Sequence, residues 1–275
     1  RPRRGRGPRA SRDAARGATA PKAVAVLPRA NMSADPENEY FSDGMTEEII
    51  GARCKVPGLQ VASRTSCFAF KGKDVDIRQV GEKLGVASVL TGSVRKVGNR
   101  LRITAQLGNA EGGYHLWSET YDRQLTDVFA IQSDVALHIA AALRAELSPD
   151  ETRRIGREPT RDIEAYQLYL HGRQCYLRFT PEGMRQGIGF FEQAIARDPR
   201  YALAYVGLAF SFVELGEIGA LAPRDAHGAA RDAAAKAIAL DDGLGDAHGL
   251  LALIKMVAEF DWVGAEREFK RAMDL

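Results

Sequence analysis

Three segments in the second half of the chain are variants of one pattern: FEQAIARDP (Phe191–Pro199), AAAKAIALDD (Ala233–Asp242) and REFKRAMDL (Arg267–Leu275). Their shared alanines, Ala194, Ala237 and Ala272, recur at intervals of 43 and 35 residues. No other feature restricts the fold as much. A unit of that length cannot bury its own apolar face, so successive units must stack on one another. Between the first two copies, YVGLAFSF (Tyr205–Phe212) sets an aromatic, a Leu-Ala pair and a second aromatic at helical spacing. Ala209 is small enough for a neighbouring helix to approach closely, while Tyr205, Leu208 and Phe212 fill the groove between helices. Paired, stacked helices are therefore expected over 161–275.

The first half reads differently. KAVAVLP (Lys22–Pro28) is a short β-type run closed by proline. In ENEYFSDGMTEEII (Glu37–Ile50), Met45, Ile49 and Ile50 fall at helical steps, and the pattern stops at Pro57-Gly58. Gln60–Ser63 predicts a second strand, and Asp76–Leu84 a second helix stopped by Gly85. Val86–Val97 follows, then a Gly98-Asn99 turn. Arg100–Leu107 puts Leu101, Ile103, Ala105 and Leu107 on one face, and after a turn at 108–113 comes Tyr114–Asp122. These three runs predict an antiparallel meander packed against helices. A long helix from Thr126 carries the apolar stripe Val128, Ile131, Val135, Ile139, Leu143 and Leu147.

The expected organisation is a basic arm over 1–22, an α/β domain over 23–147, a polar linker over 148–160 and helical repeats over 161–275, the last one truncated. The arm holds seven arginines and Lys22 against Asp13 alone, which leaves −5 on the rest of a chain whose total is +2. With almost no apolar side chains it cannot fold alone. It reads as a flexible linker, and the acidic remainder argues against nucleic acid as a partner of the folded domains. No apolar run approaches the roughly 20 residues of a membrane helix, so an anchor is expected only upstream of Arg1.

Chemistry is hard to find. In Glu37–Ile50, Ser42 or Asp43 is expected to cap the helix, with Glu47 and Glu48 in or near its first turn, where backbone N–H groups favour negative charge. These acids start a helix on this reading and need no substrate. Lys71-Gly72-Lys73 lacks the glycine and hydroxyl of a P-loop. Thr91-Gly92-Ser93 lacks the second glycine of a nucleophile elbow, so Gly92 marks close strand packing. Arg64-Thr65-Ser66 is expected to cap a segment over 66–70. Trp117 and Tyr121 share a strand face and are expected to pack on the long helix. Cys54, Cys67 and Cys175 form no ligand pattern with the scattered histidines, and a Cys54–Cys67 bridge stays open. The expectation is no catalytic residue, no metal and no cofactor.

Several strings carry a resemblance. AVAVLP, NMSADPENEYFSDGMTEEII, RTSCFAFKGK, VLTGSVRKVGNRLRITAQL and HLWSETYDRQLTDVFAIQ resemble the TolB-like α/β module of bacterial signalling proteins. Tyr-x-x-Leu-Ala-x-x-Phe at Tyr205–Phe212 is similar to helix A of the tetratricopeptide repeat. On a 34-residue period, the 43-residue interval requires about nine extra residues, expected at Gly216–Pro223. The resemblance departs at Arg29, where an aromatic is usual, and at Thr91, where an acid is usual. It implies an α/β (α+β) domain with a mixed or antiparallel sheet, followed by an all-α repeat solenoid.

That pairing commonly follows a class III adenylate or guanylate cyclase domain or a winged-helix DNA-binding domain, often across a membrane helix. The expected function is thus a non-catalytic regulatory or sensory module that binds proteins. The alternatives are the accessory region of a nucleotide cyclase or the effector-sensing region of a winged-helix transcriptional regulator. The partner would be a protein or peptide in the concave groove of the repeats, bordered by Leu203, Val206, Phe210, Val213 and Glu214. Exposed repeat surface also predicts self-association. The cytoplasmic side is favoured over the periplasmic side of an anchored protein.

Overall fold

The structure, a computed structural model, describes residues 22–35, 38–54, 59–143 and 147–275. Residues 1–21 of the basic arm and the side chain of Cys54 lie outside the described residues.

Alternation in KAVAV has a direct outcome. β1 (Lys22–Val26) turns Val24 and Val26 to one face of a sheet and Ala23 and Ala25 to the other, each face buried in its own cluster. β2 (Ala30–Asn31) continues past Pro28, and β3 (Leu59–Val61) and β4 (Ser88–Val97) both run parallel to β1. β5 (Arg100–Asn109) and β6 (His115–Gln124) complete an antiparallel meander with β4. The order is β3-β1-β4-β5-β6, with β2 pairing β4, so the sheet is mixed. Gly98 makes the β4–β5 turn at φ 56°, a conformation that favours glycine. A Cβ on Gly92 would stand 2.1 Å from the Thr104 carbonyl oxygen, which explains glycine in the middle of β4.

α1 (Glu39–Cys54) and α4 (Val128–Ala142) cover the face that carries Leu101, Ile103, Ala105 and Leu107. α2 (Arg64–Phe68) and α3 (Ile77–Leu84) cover the opposite face through Cys67, Phe70 and Val80. α3 ends as expected, with Gly85 in the left-handed conformation. α4 begins after a 3-10 turn at Leu125–Asp127. Contrary to expectation, the window Leu125–Ala142 is long and apolar enough to cross a membrane by length and composition, at mean hydropathy 1.2. Its apolar face is the one that packs on the sheet.

Two helix starts differ from expectation. α1 begins at Glu39 because Tyr40 and Phe41 are both drawn into the core, which extends the helix upstream. Ser42 and Asp43 therefore sit inside it, and Glu47 and Glu48 fall beyond its second turn, too far to meet the helix N-terminus. α2 is capped by Ser63, whose Oγ accepts from the Ser66 N–H at 3.2 Å, so Arg64, Thr65 and Ser66 are helical rather than capping.

Within 148–160 the chain folds α5 (Pro149–Ile155), whose Ile155 carbonyl accepts from the Ser133 hydroxyl at 2.8 Å. Six helices follow: α6 (Ile163–Tyr176), α7 (Pro181–Arg197), α8 (Ala202–Glu217), α9 (Pro223–Leu240), α10 (Gly245–Val257) and α11 (Trp262–Asp274). Each packs on the next, and α6, α8 and α10 also touch in series. The long repeat interval has no inserted loop at Gly216–Pro223. It is absorbed by α8 and α9, of 16 and 18 residues, against 13 each in α10 and α11.

Phe191 explains the tight stack at α6–α7–α8. Its ring lies against Gly172 of α6 and Gly207 of α8, where added Cβ atoms would come within 2.6 and 2.5 Å. Gly207→Val should therefore destabilise the fold by about 1–3 kcal/mol through overpacking, read as a lower urea midpoint at unchanged slope.

The same hydrophobic cluster extends from the sheet through α1 and α4 to Tyr166, Leu170, Phe191 and Tyr201. α1 lies between the sheet and the helices and packs on both. Gly44 admits Leu170, Tyr40 stacks on His171 at 3.5 Å, and Lys96 donates to Gln167 at 3.2 Å.

Candidate functional site

The seam between α1 and the helical half opens into a cavity of about 1100 Å³. Glu47 and Glu48 of α1 and Phe129 and Gln132 of α4 form one side. Tyr169, Arg173 and Tyr176 of α6, one helical turn apart, form the floor, and α8, α10 and the end of α11 the remaining wall. Small residues are among its lining: Ala202, Gly207, Gly245 and Gly249.

Its polar floor is an ion cluster. The Glu47 carboxylate, with a side chain only 4% exposed, accepts from Arg64 Nε at 2.6 Å and faces Arg173 Nη2 at 2.5 Å. Arg173 Nη1 donates to Glu48 at 2.8 Å. Two cations and two carboxylates from α1, α2 and α6 thus cancel in a mostly dry place, where pairing is what makes burial tolerable. Burial opposes the charge on Arg173, but Tyr169, Tyr176, Glu47 and Glu48 outweigh it and hold its pKa well above the usual arginine value. Glu47 and Glu48, the acids expected to start a helix, instead add ion pairs to the apolar contact between α1 and α6.

The expected groove residues divide. Leu203, Val206 and Phe210 share one face of α8 and line the cavity. Val213 does not: it is 2% exposed and packs with Ala230 and Ile254 as α9 and α10 close over the last turn of α8. Glu214 is half-buried and outside the cavity lining; burial and then Glu217 push its carboxyl pKa up. Glu47, Glu48, Tyr169, Arg173 and Tyr176 were not singled out for the groove. Their one sequence signal is the position of Arg173 at helical spacing from Tyr166, Tyr169 and Leu170, which puts its charge on the buried face of α6.

Elsewhere the packing expectations fit. Tyr121 is buried and its hydroxyl donates to Asp134 of α4 at 2.5 Å, and Trp117 stacks on His138 of α4 at 5.0 Å. Lys71 is held by Glu39 and Asp43. Cys67 and Cys175 are buried free thiols, and burial pushes both pKa values up. Among the described residues, no three His, Cys, Asp or Glu side chains gather in a metal-binding group.

Arg29 is unusual. It is 2% exposed, and its three guanidinium nitrogens meet no hydrogen-bond acceptor among the described residues. Its backbone N–H donates to Thr46 Oγ1 at 3.1 Å, which fixes the residue beneath α1. Burial draws its pKa down to about 10, with Tyr121 acting in the opposite direction.

No protein-family model matches the sequence. Among curated proteins, "Putative adenylate cyclase 3" of Rhizobium meliloti (strain 1021) is 45% identical over 185 residues, 67% of this chain and 32% of that protein. The chain thus spans about a third of that relative's length.

Similar solved structures include lipoprotein GNA1162 from Neisseria meningitidis, with TM-score 0.32 and 21% identity over 38% of this chain and 81% of that one. TolB from Acinetobacter baumannii has TM-score 0.34 and 15% identity over 44% and 28% of the two chains. The C-terminal domain of LpoB from Salmonella enterica has TM-score 0.32 and 19% identity over 40% and 87%. The chain itself is a mixed α/β sheet followed by a helical region.

Proposed function

We propose that this chain is a non-catalytic regulatory module of a bacterial signalling protein, with an α/β domain ending near residue 147 and tetratricopeptide-type repeats from about 161. A polypeptide segment of a partner binds in the cavity between them. The observation that carries this reading is the cavity itself. It is large enough for several side chains, and aromatic and aliphatic groups from α4, α6, α8 and α11 surround a neutral ion cluster. Such a lining suits an apolar anchor with a polar flank. Because the floor belongs to both halves, an occupant touching Arg173 also touches the α1 contact, and that is a route for a signal. The likeness to a protein named as an adenylate cyclase supports a second, compatible reading, in which this region accompanies a cyclase domain.

The test is peptide selection against the 275-residue chain, repeated on Phe210→Glu. Phe210 lines the cavity, so selected peptides should lose at least about tenfold in affinity, the loss of one buried anchor. Ligands indifferent to that change would move the site elsewhere. With ATP and Mn²⁺ the chain should give no cyclic nucleotide; turnover would overturn the non-catalytic reading.

A further inference from the structure

We propose that the open edge of β6 pairs with β6 of a second copy of this chain, antiparallel about a two-fold axis through Tyr121, so that the two sheets become one. β6 is the last strand of the sheet, and among the described residues no strand adds to its outer side. All of its residues except Trp117, Tyr121 and Asp122 are exposed. One step beyond the Arg100–Gln124 pair, the Leu125 N–H donates to the Asn99 carbonyl at 2.9 Å, which fixes the phase of the β5–β6 ladder. Every second pair from there, Leu101–Arg123, Ile103–Tyr121 and Ala105–Glu119, exchanges hydrogen bonds. The pairs between them leave the N–H and C=O groups of Ser118, Thr120, Asp122 and Gln124 turned away from the sheet. An unpaired row of this length is a template for a further strand.

The charges along the edge identify the occupant. Glu119 and Arg123 are exposed, stand two residues to either side of Tyr121 and share its sheet face. Charges on an edge strand ordinarily guard it. These are opposite in sign and equally spaced, so in a reversed copy each meets its complement. With the axis at Tyr121, Glu119 falls opposite Arg123 of the second copy, an ion pair made twice. The same register sets Thr120 against Asp122 and Ser118 against Gln124, the residues whose backbone groups point outward. The other two-fold registers are worse. An axis at Glu119, Asp122 or Arg123 puts a charge against its own copy, and one at Thr120 leaves Glu119 facing Tyr121. Arg123 donates Nη1 to the neighbouring Asp122 carbonyl at 3.2 Å, and among the described residues neither it nor Glu119 has an ion pair to give up. An unrelated strand would need no such symmetry, and joining two edges of this kind leaves neither open.

Sedimentation equilibrium of the 275-residue chain should show a monomer–dimer equilibrium in the micromolar range. Glu119→Lys and Arg123→Glu should each weaken it about tenfold, because both copies of the cross-pair become repulsive. The double variant E119K/R123E should restore it. Thr120→Pro should abolish it: the Thr120 N–H points outward, so proline there removes bonds to the second copy and none to β5. Far-UV circular dichroism checks that each variant is folded, and the charge reversals, at exposed positions, decide the matter even where proline disturbs the strand. A chain that stays monomeric throughout that range overturns the proposal. So does a dimer that survives Thr120→Pro in a folded chain, or one insensitive to the single reversals or not rescued by the double one.

Discussion

Arg173→Ala should cost about 3–5 kcal/mol of folding stability, because it leaves the buried Glu47 carboxylate short of a countercharge. Two carboxylates, Glu47 and Glu48, hold that guanidinium, and Arg64 alone would face Glu47 in the variant. The loss is expected as a lower urea midpoint, with the sheet and the helices separating into two transitions as α6 loosens from α1. Replacing both partners with neutral groups, Glu47→Gln with Arg173→Met, should recover much of the stability, since the penalty comes from the orphaned charge and not from a missing attraction. A single variant with wild-type stability would show that the ion cluster does not hold the halves together.

Arg29→Met should act in the opposite direction and raise stability by up to about 3 kcal/mol, the size of the fall in the Arg29 pKa from the ordinary arginine value to about 10. Methionine keeps the long aliphatic stem in the core and removes a charge that no described acceptor compensates. The pH dependence follows. Below about pH 10 both folded and unfolded chains keep the Arg29 proton, and the whole cost is present. Above it the folded chain loses the proton first, so the wild type gains stability relative to Arg29→Met until the higher, ordinary arginine value of the unfolded chain is passed. Urea melts of both proteins at neutral and at strongly alkaline pH read this directly. An Arg29→Met chain no more stable than wild type would mean that the guanidinium is compensated.

Arg29 occupies a core position, and its burial is visible only once α1 is folded over it. Helices and strands were legible because their signals are local. Strict alternation made β5, and Asp76 with Gly85 bounded α3. The start of α1 was misjudged because Tyr40 and Phe41 are set by contacts with the sheet and α6, which outweigh the caps that Ser42 and Asp43 could offer. The supposed insertion at Gly216–Pro223 was misplaced because the extra residues lengthen α8 and α9, which pack on each other, and do not form a loop.

The candidate site was half legible. Leu203, Val206 and Phe210 follow from helical periodicity alone, because one face of α8 must be presented somewhere. Val213 continues that periodicity and yet is buried, since the closure of α9 and α10 over it is a long-range event.

By itself the sequence determined where helices and strands form, which faces are apolar, and that small residues recur to let helices nest. These depend on neighbours a few residues apart. Only the tertiary structure decided that Glu47 meets Arg173, 126 positions along the chain, and that their meeting floors a cavity. Charge pairing in a dry interior depends on distance in space, and a linear pattern does not encode which distant cation a buried carboxylate will find.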